Sequence, residues 1–465
     1  MNYSGEYSQK LTNAYDAVKV IDSGDVVDYG SFNGKPVECD RALSLRADEL
    51  HDVSVYATVT VPPVPEVARR PDIFTYSDWH WTKLTRLLQF QGKPFYSPVL
   101  YQRAPYYHRH SRPKSYRSTY YDNPEKGPGV KVVAILQTGP MDEYGFFNFG
   151  PQCSHTCACV GTADIVIVEV NRNQPRCLGV ENAVHISEID HIVEAPESQR
   201  LFSPPPAAHT DIDRQIAGHI MQYIHNGCCL QLGIGSLPNL VGEMIAESDL
   251  RDLGGHTEMF VDAFVKMIES GKMNGRKKNI DHNLCAYTFA LGSEHMYDFM
   301  NDNQGLIAYP VDYTNSDEII GQIDNFVSIN NALQIDLFTQ VNAESMVIEG
   351  RPQQISGNGG MLDFVMGSHK SHRGRSFICF SSTYTDKDSR VQSRIVPTLE
   401  PGTIVTVPRQ AVDFIVTEYG AVRLAACSTW MRAEKLISIA HPDFRDDLVK
   451  EAEKLGIWRR TNRIS

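Results

Sequence analysis

Short, β-branched, mostly apolar runs alternate with helical stretches along this chain, and that alternation constrains its fold more than any other feature. In the first half the runs are 25–28, 53–61, 130–137 and 165–170, with a helical pattern over 40–50. Runs of this length, rich in valine and isoleucine, suit buried strands. Ser203-Pro204-Pro205-Pro206 then interrupts the pattern, because a proline run holds the backbone extended and continues neither element. Beyond it the alternation resumes. A helix over 211–225 is stopped by Asn226-Gly227, a strand follows over 228–232, and a helix over 238–246. Apolar runs at 404–407 and 414–416 precede a closing amphipathic helix at 448–455. At 465 residues the chain is too long for one ordinary core. The expectation is two α/β domains with largely parallel sheets, divided as 1–203 and 204–465.

Bulk properties remove several classes of function. A formal net charge of -12 argues against a protein whose main work is binding nucleic acid or anionic lipid. The first ten residues lack the basic start and apolar run of a signal peptide. No stretch approaches the roughly 18 apolar residues of a membrane span. Ten cysteines scattered through so long a chain suit reduced thiols, which points to the cytoplasm. Cys153, His155, Cys157 and Cys159 lie close together in sequence, but the pattern lacks the paired spacing of a structural zinc site. They read as packed free thiols, with no metal expected. Segment 103–121 interleaves arginine, lysine, tyrosine and histidine. It reads as a surface loop or subunit contact, with contact to a nucleotide as the alternative.

Motifs narrow the chemistry further. There is no Walker-type phosphate loop, no H-E-x-x-H and no G-x-S-x-G. The turn Gly233-Ile234-Gly235-Ser236 leads into a helix, and Pro238 stands where a dinucleotide fingerprint has its third glycine. Such a turn still brings backbone close to a ligand and presents a helix N-terminus to an anion. Gly254-Gly255-His256-Thr257-Glu258 reads as a flexible turn that carries a carboxylate. Ser356-Gly357-Asn358-Gly359-Gly360 supplies a second turn, and glycine turns free the backbone amides an oxyanion hole requires. On composition alone Glu258 is more often an exposed charge than a nucleophile, and spacing does not decide between them.

Taken in order, these segments resemble the acetyl-CoA hydrolase/transferase family, most closely its butyryl-CoA:acetate and 4-hydroxybutyrate CoA-transferase branch. The resemblance covers almost the whole chain. It is carried by Phe147-Asn148-Phe149-Gly150, Gly233-Ile234-Gly235, His256-Thr257-Glu258-Met259 and Tyr309-Pro310-Val311-Asp312-Tyr313. Phe326-Val327-Ser328-Ile329-Asn330 and Val416-Thr417-Glu418-Tyr419-Gly420 extend it. No single segment is specific, but the ordered set is.

The resemblance implies that Glu258 is a nucleophile that carries CoA as a thioester. It also implies that Gly233, Ile234, Gly235 and Ser236 lie against CoA, and that Gly357, Gly359 and Gly360 belong to the turn offering donors to the reacting carbonyl. Asn330, with Asn331 as the alternative, is placed as a side-chain donor. Phe147 and Met361 suit an apolar acyl site, with core packing the commoner role for either. The implied substrates are a short-chain acyl-CoA and acetate or another short carboxylate, with no cofactor beyond the CoA thioester itself. The alternative readings are an acyl-CoA hydrolase using the same glutamate and a 4-hydroxybutyrate CoA-transferase. Intermediates of this kind must be kept from water, which implies a cleft between the domains. Family members are commonly homo-oligomers, so a dimer or tetramer is expected. Two departures stand out: Met361 follows Gly359-Gly360 where relatives commonly have glutamine, and Ala426-Cys427-Ser428 replaces a Gly-Lys-Ser.

Overall fold

Where the sequence alternates, the chain lays down parallel sheet. The structure, a computed structural model, describes residues 3–463 apart from 90–93, 112, 116–117, 120–129, 206–207 and 234. Among the described residues, seven strands form one sheet in the order His191–Glu194, Ile165–Val170, Val132–Thr138, Val26–Ser31, Val53–Thr58, Phe74–Asp78 and Pro94–Tyr96. Every neighbouring pair runs parallel. Val26–Ser31 and Val132–Thr138 are buried at every position. That is why they read as continuous apolar runs rather than alternating ones. The run expected over 53–61 stops as a strand at Thr58. Beyond it the Asp78 carboxylate accepts the N–H groups of Val59 and Thr60 in place of a neighbouring strand.

A second parallel set has the order Gly254–Phe260, Cys229–Leu232, Phe326–Asn331, Arg375–Cys379 and Phe414–Thr417, with Gly420–Arg423 antiparallel at its edge. Cys229–Leu232 comes first in the chain yet lies inside the sheet. The next strand joins one side of it and Phe326–Asn331 the other. The strand order therefore reverses at this point, and the carboxyl ends of strands at such a reversal are where α/β proteins hold ligands. The helix Asp211–Met221 starts from a capping box between Thr210 and Asp213, as its sequence signature requires. The apolar run at 404–407 is not a strand. Ile404 and Val405 are 45% and 40% exposed, and only Val407 makes a bridge, to Val341. Pro408, which has no N–H to pair, follows it directly.

Contacts divide the chain into Met1–Pro204 with Ala286–Thr314, and Pro205–Cys285 with Asn315–Ser465. The sequence division at 203/204 assigned 286–314 to the second half; in the structure this segment belongs to the first unit. Phe289 stacks on Phe32 with ring centroids 4.3 Å apart. The Tyr297 hydroxyl donates to the Phe202 carbonyl at 2.9 Å and accepts from Asn33 Nδ2 at 3.0 Å. Among the described residues, no helix is long and apolar enough to cross a membrane.

Candidate active site

Glu258 does not sit in a turn. It belongs to the Gly254–Phe260 strand, and the two glycines are there for lack of room rather than for flexibility. A Cβ on Gly254 would come within 2.6 Å of Lys278 Cγ, and one on Gly255 would overlap Cys285 Sγ. Gly255 pairs with Leu230 of the neighbouring strand, so Glu258, three residues on, is level with Gly233. It therefore stands at the carboxyl end of the sheet, beside the glycine turn that follows Cys229–Leu232. His256 and Thr257, just before it, are fully buried and anchor the strand.

Two N–H groups hold this carboxylate. Asn315 Nδ2 donates to Glu258 Oε2 at 2.5 Å, and the Gly360 N–H also donates to the carboxylate. Gly360 has an ordinary φ of -92, so its backbone does not demand glycine. Its surroundings do, because an added Cβ would overlap both Glu258 Oε2 and Asn315 Nδ2. Its neighbour Gly359, at φ +48, turns the chain into the Met361–Lys370 helix. The remaining Asn315 N–H reaches Asp363 Oδ2 at 3.3 Å. Glu258 is half-buried, which leaves an approach for a reactant. Burial nevertheless pushes its carboxyl up to about 7, against the opposing pull of Asn315 and the Gly360 N–H. Near neutral pH this carboxyl therefore exchanges between its protonated and ionised forms, and when ionised it is a partly desolvated oxygen nucleophile already held by two N–H groups.

The remaining expected residues are placed unevenly. Asn330, 7% exposed, exchanges two 3.2 Å hydrogen bonds with Gln231 across neighbouring strands, and its Oδ1 borders Gly233. Its amide is engaged there rather than with Glu258. Gly235, at φ +128, caps the Ser236–Glu247 helix, and Ser236 Oγ donates to Asp213 Oδ2 at 3.3 Å. Ile234 lies outside the described residues. Gly357 is buried in the approach to Gly359. Met361 is 7% exposed and packs in a core cluster that includes Ile378 and Ile415.

Phe147 has no exposed surface; it lies in the core of the first unit, stacked with Tyr7 at 6.1 Å. A ring sealed in that core is structural, which corrects its placement at an acyl site. Among the described residues, Cys159 of the clustered cysteines joins a group of ligating side chains, with Asp28 and His108. Part of 103–121 lies outside the described residues, while His108, within it, is 5% exposed and stacks on His155 at 4.8 Å. In the same stretch Arg103, Tyr106, Arg109 and His110 are exposed.

Sequence reasoning missed Asn315. The signal available was position, since it follows Tyr309-Pro310-Val311-Asp312-Tyr313 by two residues. Nothing local marks it, because its partner is 57 residues away.

The model of the acetyl-CoA hydrolase/transferase N-terminal domain matches residues 1–202, and that of the C-terminal domain matches 292–452. The chain is 47% identical to a butyryl-CoA:acetate CoA-transferase of Anaerostipes caccae, over 100% of both chains. Among solved structures it is similar to RipA from Yersinia pestis, with a TM-score of 0.85, 33% identity, and coverage of 98% of this chain and 100% of that one. A 4-hydroxybutyrate CoA-transferase of Porphyromonas gingivalis superposes with a TM-score of 0.77 and 30% identity over the same shares.

Proposed function

This chain belongs to the acetyl-CoA hydrolase/transferase family, and from that premise we propose that it is a butyryl-CoA:acetate CoA-transferase working through a glutamyl-CoA thioester on Glu258. The observation that carries the reading is the Glu258 carboxylate itself, held at Oε2 by Asn315 and bonded also by the Gly360 N–H, at the carboxyl end of a parallel sheet. Oε1, opposite the oxygen that Asn315 holds, attacks the thioester carbonyl of butyryl-CoA. The C–S bond breaks, leaving a mixed anhydride and a CoA thiolate. The thiolate then attacks the glutamyl carbon, butyrate leaves, and glutamyl-CoA remains. Acetate retraces both steps to give acetyl-CoA.

Each tetrahedral stage at the glutamyl carbon places negative charge on Oε2, where the Asn315 N–H already points. The attacking groups, two carboxylates and a thiolate, arrive ionised, so the scheme needs no general base. The thioester is exchanged rather than spent, so it needs no nucleotide, and CoA is the only carrier. The glycine turn at Gly233 and Gly235, with the N-terminus of Ser236–Glu247, suits the anionic end of CoA. In this reading the enzyme works in the cytoplasm as a homo-oligomer, which suits ten free cysteines.

The test is mass spectrometry of protein incubated with butyryl-CoA, with and without borohydride. The expected modification is confined to the peptide containing Glu258. Glu258→Gln should retain the fold and lose at least about 1000-fold in rate. CoA release that is equal with and without acetate would instead identify a hydrolase.

A further inference from the structure

We propose that Asp363 is the positioning residue that orients the Asn315 side-chain amide, so that an N–H rather than the carbonyl oxygen faces Glu258. The inference rests on the reading of Glu258 as nucleophile. An asparagine amide carries two donors on nitrogen and an acceptor oxygen of nearly the same size, so its shape alone selects neither orientation. Here the nitrogen has a carboxylate on each side: Glu258 Oε2 at 2.5 Å and Asp363 Oδ2 at 3.3 Å. Turning the amide over would break both charge-assisted bonds and set its oxygen against two anions. Asn315 is fully buried and Asp363 is 1% exposed, so water has little access to take over either bond.

The element that holds Asp363 explains why a second buried acid is tolerable. Asp363 is the third residue of the Met361–Lys370 helix, whose N-terminal dipole favours a negative charge there. Gly360 caps the same helix. One helix start therefore reaches Glu258 twice, directly through the Gly360 N–H and indirectly through Asp363 and the amide of Asn315. The groups facing Glu258 are that amide and that N–H, and Asp363 stands behind the amide.

The test is Asp363→Asn, which keeps the shape and replaces an acceptor by a group with its own N–H. Asn315 then gains by turning its oxygen toward residue 363 and thereby toward Glu258, which disfavours the ionised nucleophile. The expected result is a loss of about 10- to 100-fold in kcat/KM for butyryl-CoA at pH 7, with the acid limb of the pH profile displaced upward by about one unit. In an Asn315→Ala background the same substitution should move the limb no further. A limb at the wild-type position or lower, or an undiminished shift in the Asn315→Ala background, overturns the proposal. Should Asp363→Asn fail to fold, judged by circular dichroism and elution volume, Asp363→Ser is read against the same two outcomes. If the wild type shows no acetate-dependent transfer, or Glu258→Gln keeps the wild-type rate, the nucleophile assignment is at fault and both readings fall. If those controls behave and only the limb stays, the positioning role alone is lost.

Discussion

In water the Glu258 carboxyl would lose its proton near 4.5; in the fold, burial raises it to about 7 against the pull of its two donors. Between those values the native state holds a proton that the unfolded chain has released. Stability therefore falls as pH rises from about 4.5 to about 7, then levels off with the cost fully present. Glutamine cannot ionise and carries no such cost. Thermal melts should show Glu258→Gln more stable than wild type at pH 8, with the advantage gone at pH 4.5 and below; parallel curves at both pH values would sink this account. The same proton governs rate in the opposite sense, because only the ionised form attacks. Wild-type kcat/KM for butyryl-CoA should fall about tenfold per unit on the acid side of pH 7. Gly360→Ala probes the steric side of the site. Its φ suits alanine, but the new methyl would displace Glu258 Oε2 and Asn315 Nδ2, so activity should drop about 100-fold or more. Glu258 and Gly360 were legible through resemblance. Asn315 was not, since a carboxamide becomes important only when the fold brings a distant acid to it.

The local elements show which sequence signals carry two meanings. Glycine marks either a chain reversal or a close approach, and Gly254-Gly255 was read as the first when it is the second. Gly255→Ala tests the difference. In a turn it would cost little; in this strand the new methyl overlaps Cys285 Sγ, and overpacking of this kind costs about 1–3 kcal/mol. Cys285→Ala removes the obstructing sulfur, so the double variant should recover much of that loss in urea unfolding. An alanine at 255 that leaves the midpoint unmoved would argue against the close approach. By contrast, the start of the Asp211–Met221 helix is local chemistry that the sequence states openly. Thr210 Oγ1 accepts the Asp213 N–H at 3.0 Å while the Asp213 carboxylate accepts the Thr210 N–H at 2.9 Å. Thr210→Ala should cost about 1 kcal/mol with activity retained. The interior strands were equally legible, because Val132–Thr138 and Ile165–Val170, buried along almost their whole length, leave a near-continuous apolar signature. The run at 404–407 carried that signature, but Ile404 and Val405 lie exposed and no strand forms there.

For the molecule as a whole, the proline run was read as the only crossing between two bodies, and the chain in fact crosses three times. Proline announces a break because its ring acts on the local backbone. The returns at 285/286 and 314/315 are made by ordinary residues whose destination is set by distant packing. The consequence can be tested by dissection. A fragment of residues 1–204 lacks Phe289, which stacks on Phe32, and Tyr297, whose hydroxyl joins Asn33 to the Phe202 carbonyl. It also leaves Phe32, 1% exposed in the full chain, without that cover. The fragment should therefore bind a hydrophobic dye and melt without a cooperative transition. Appending 286–314 through a flexible Gly/Ser linker of about 20 residues should restore a sharp melt, since a linker of that kind adds reach without structure. The complementary fragment 205–465 keeps 286–314 without its partners, and deleting that segment behind a similar linker should improve solubility. If 1–204 folds cooperatively alone, with its midpoint unchanged by the added segment, then 286–314 contributes nothing to the first unit's core, and the boundary at the proline run suffices after all.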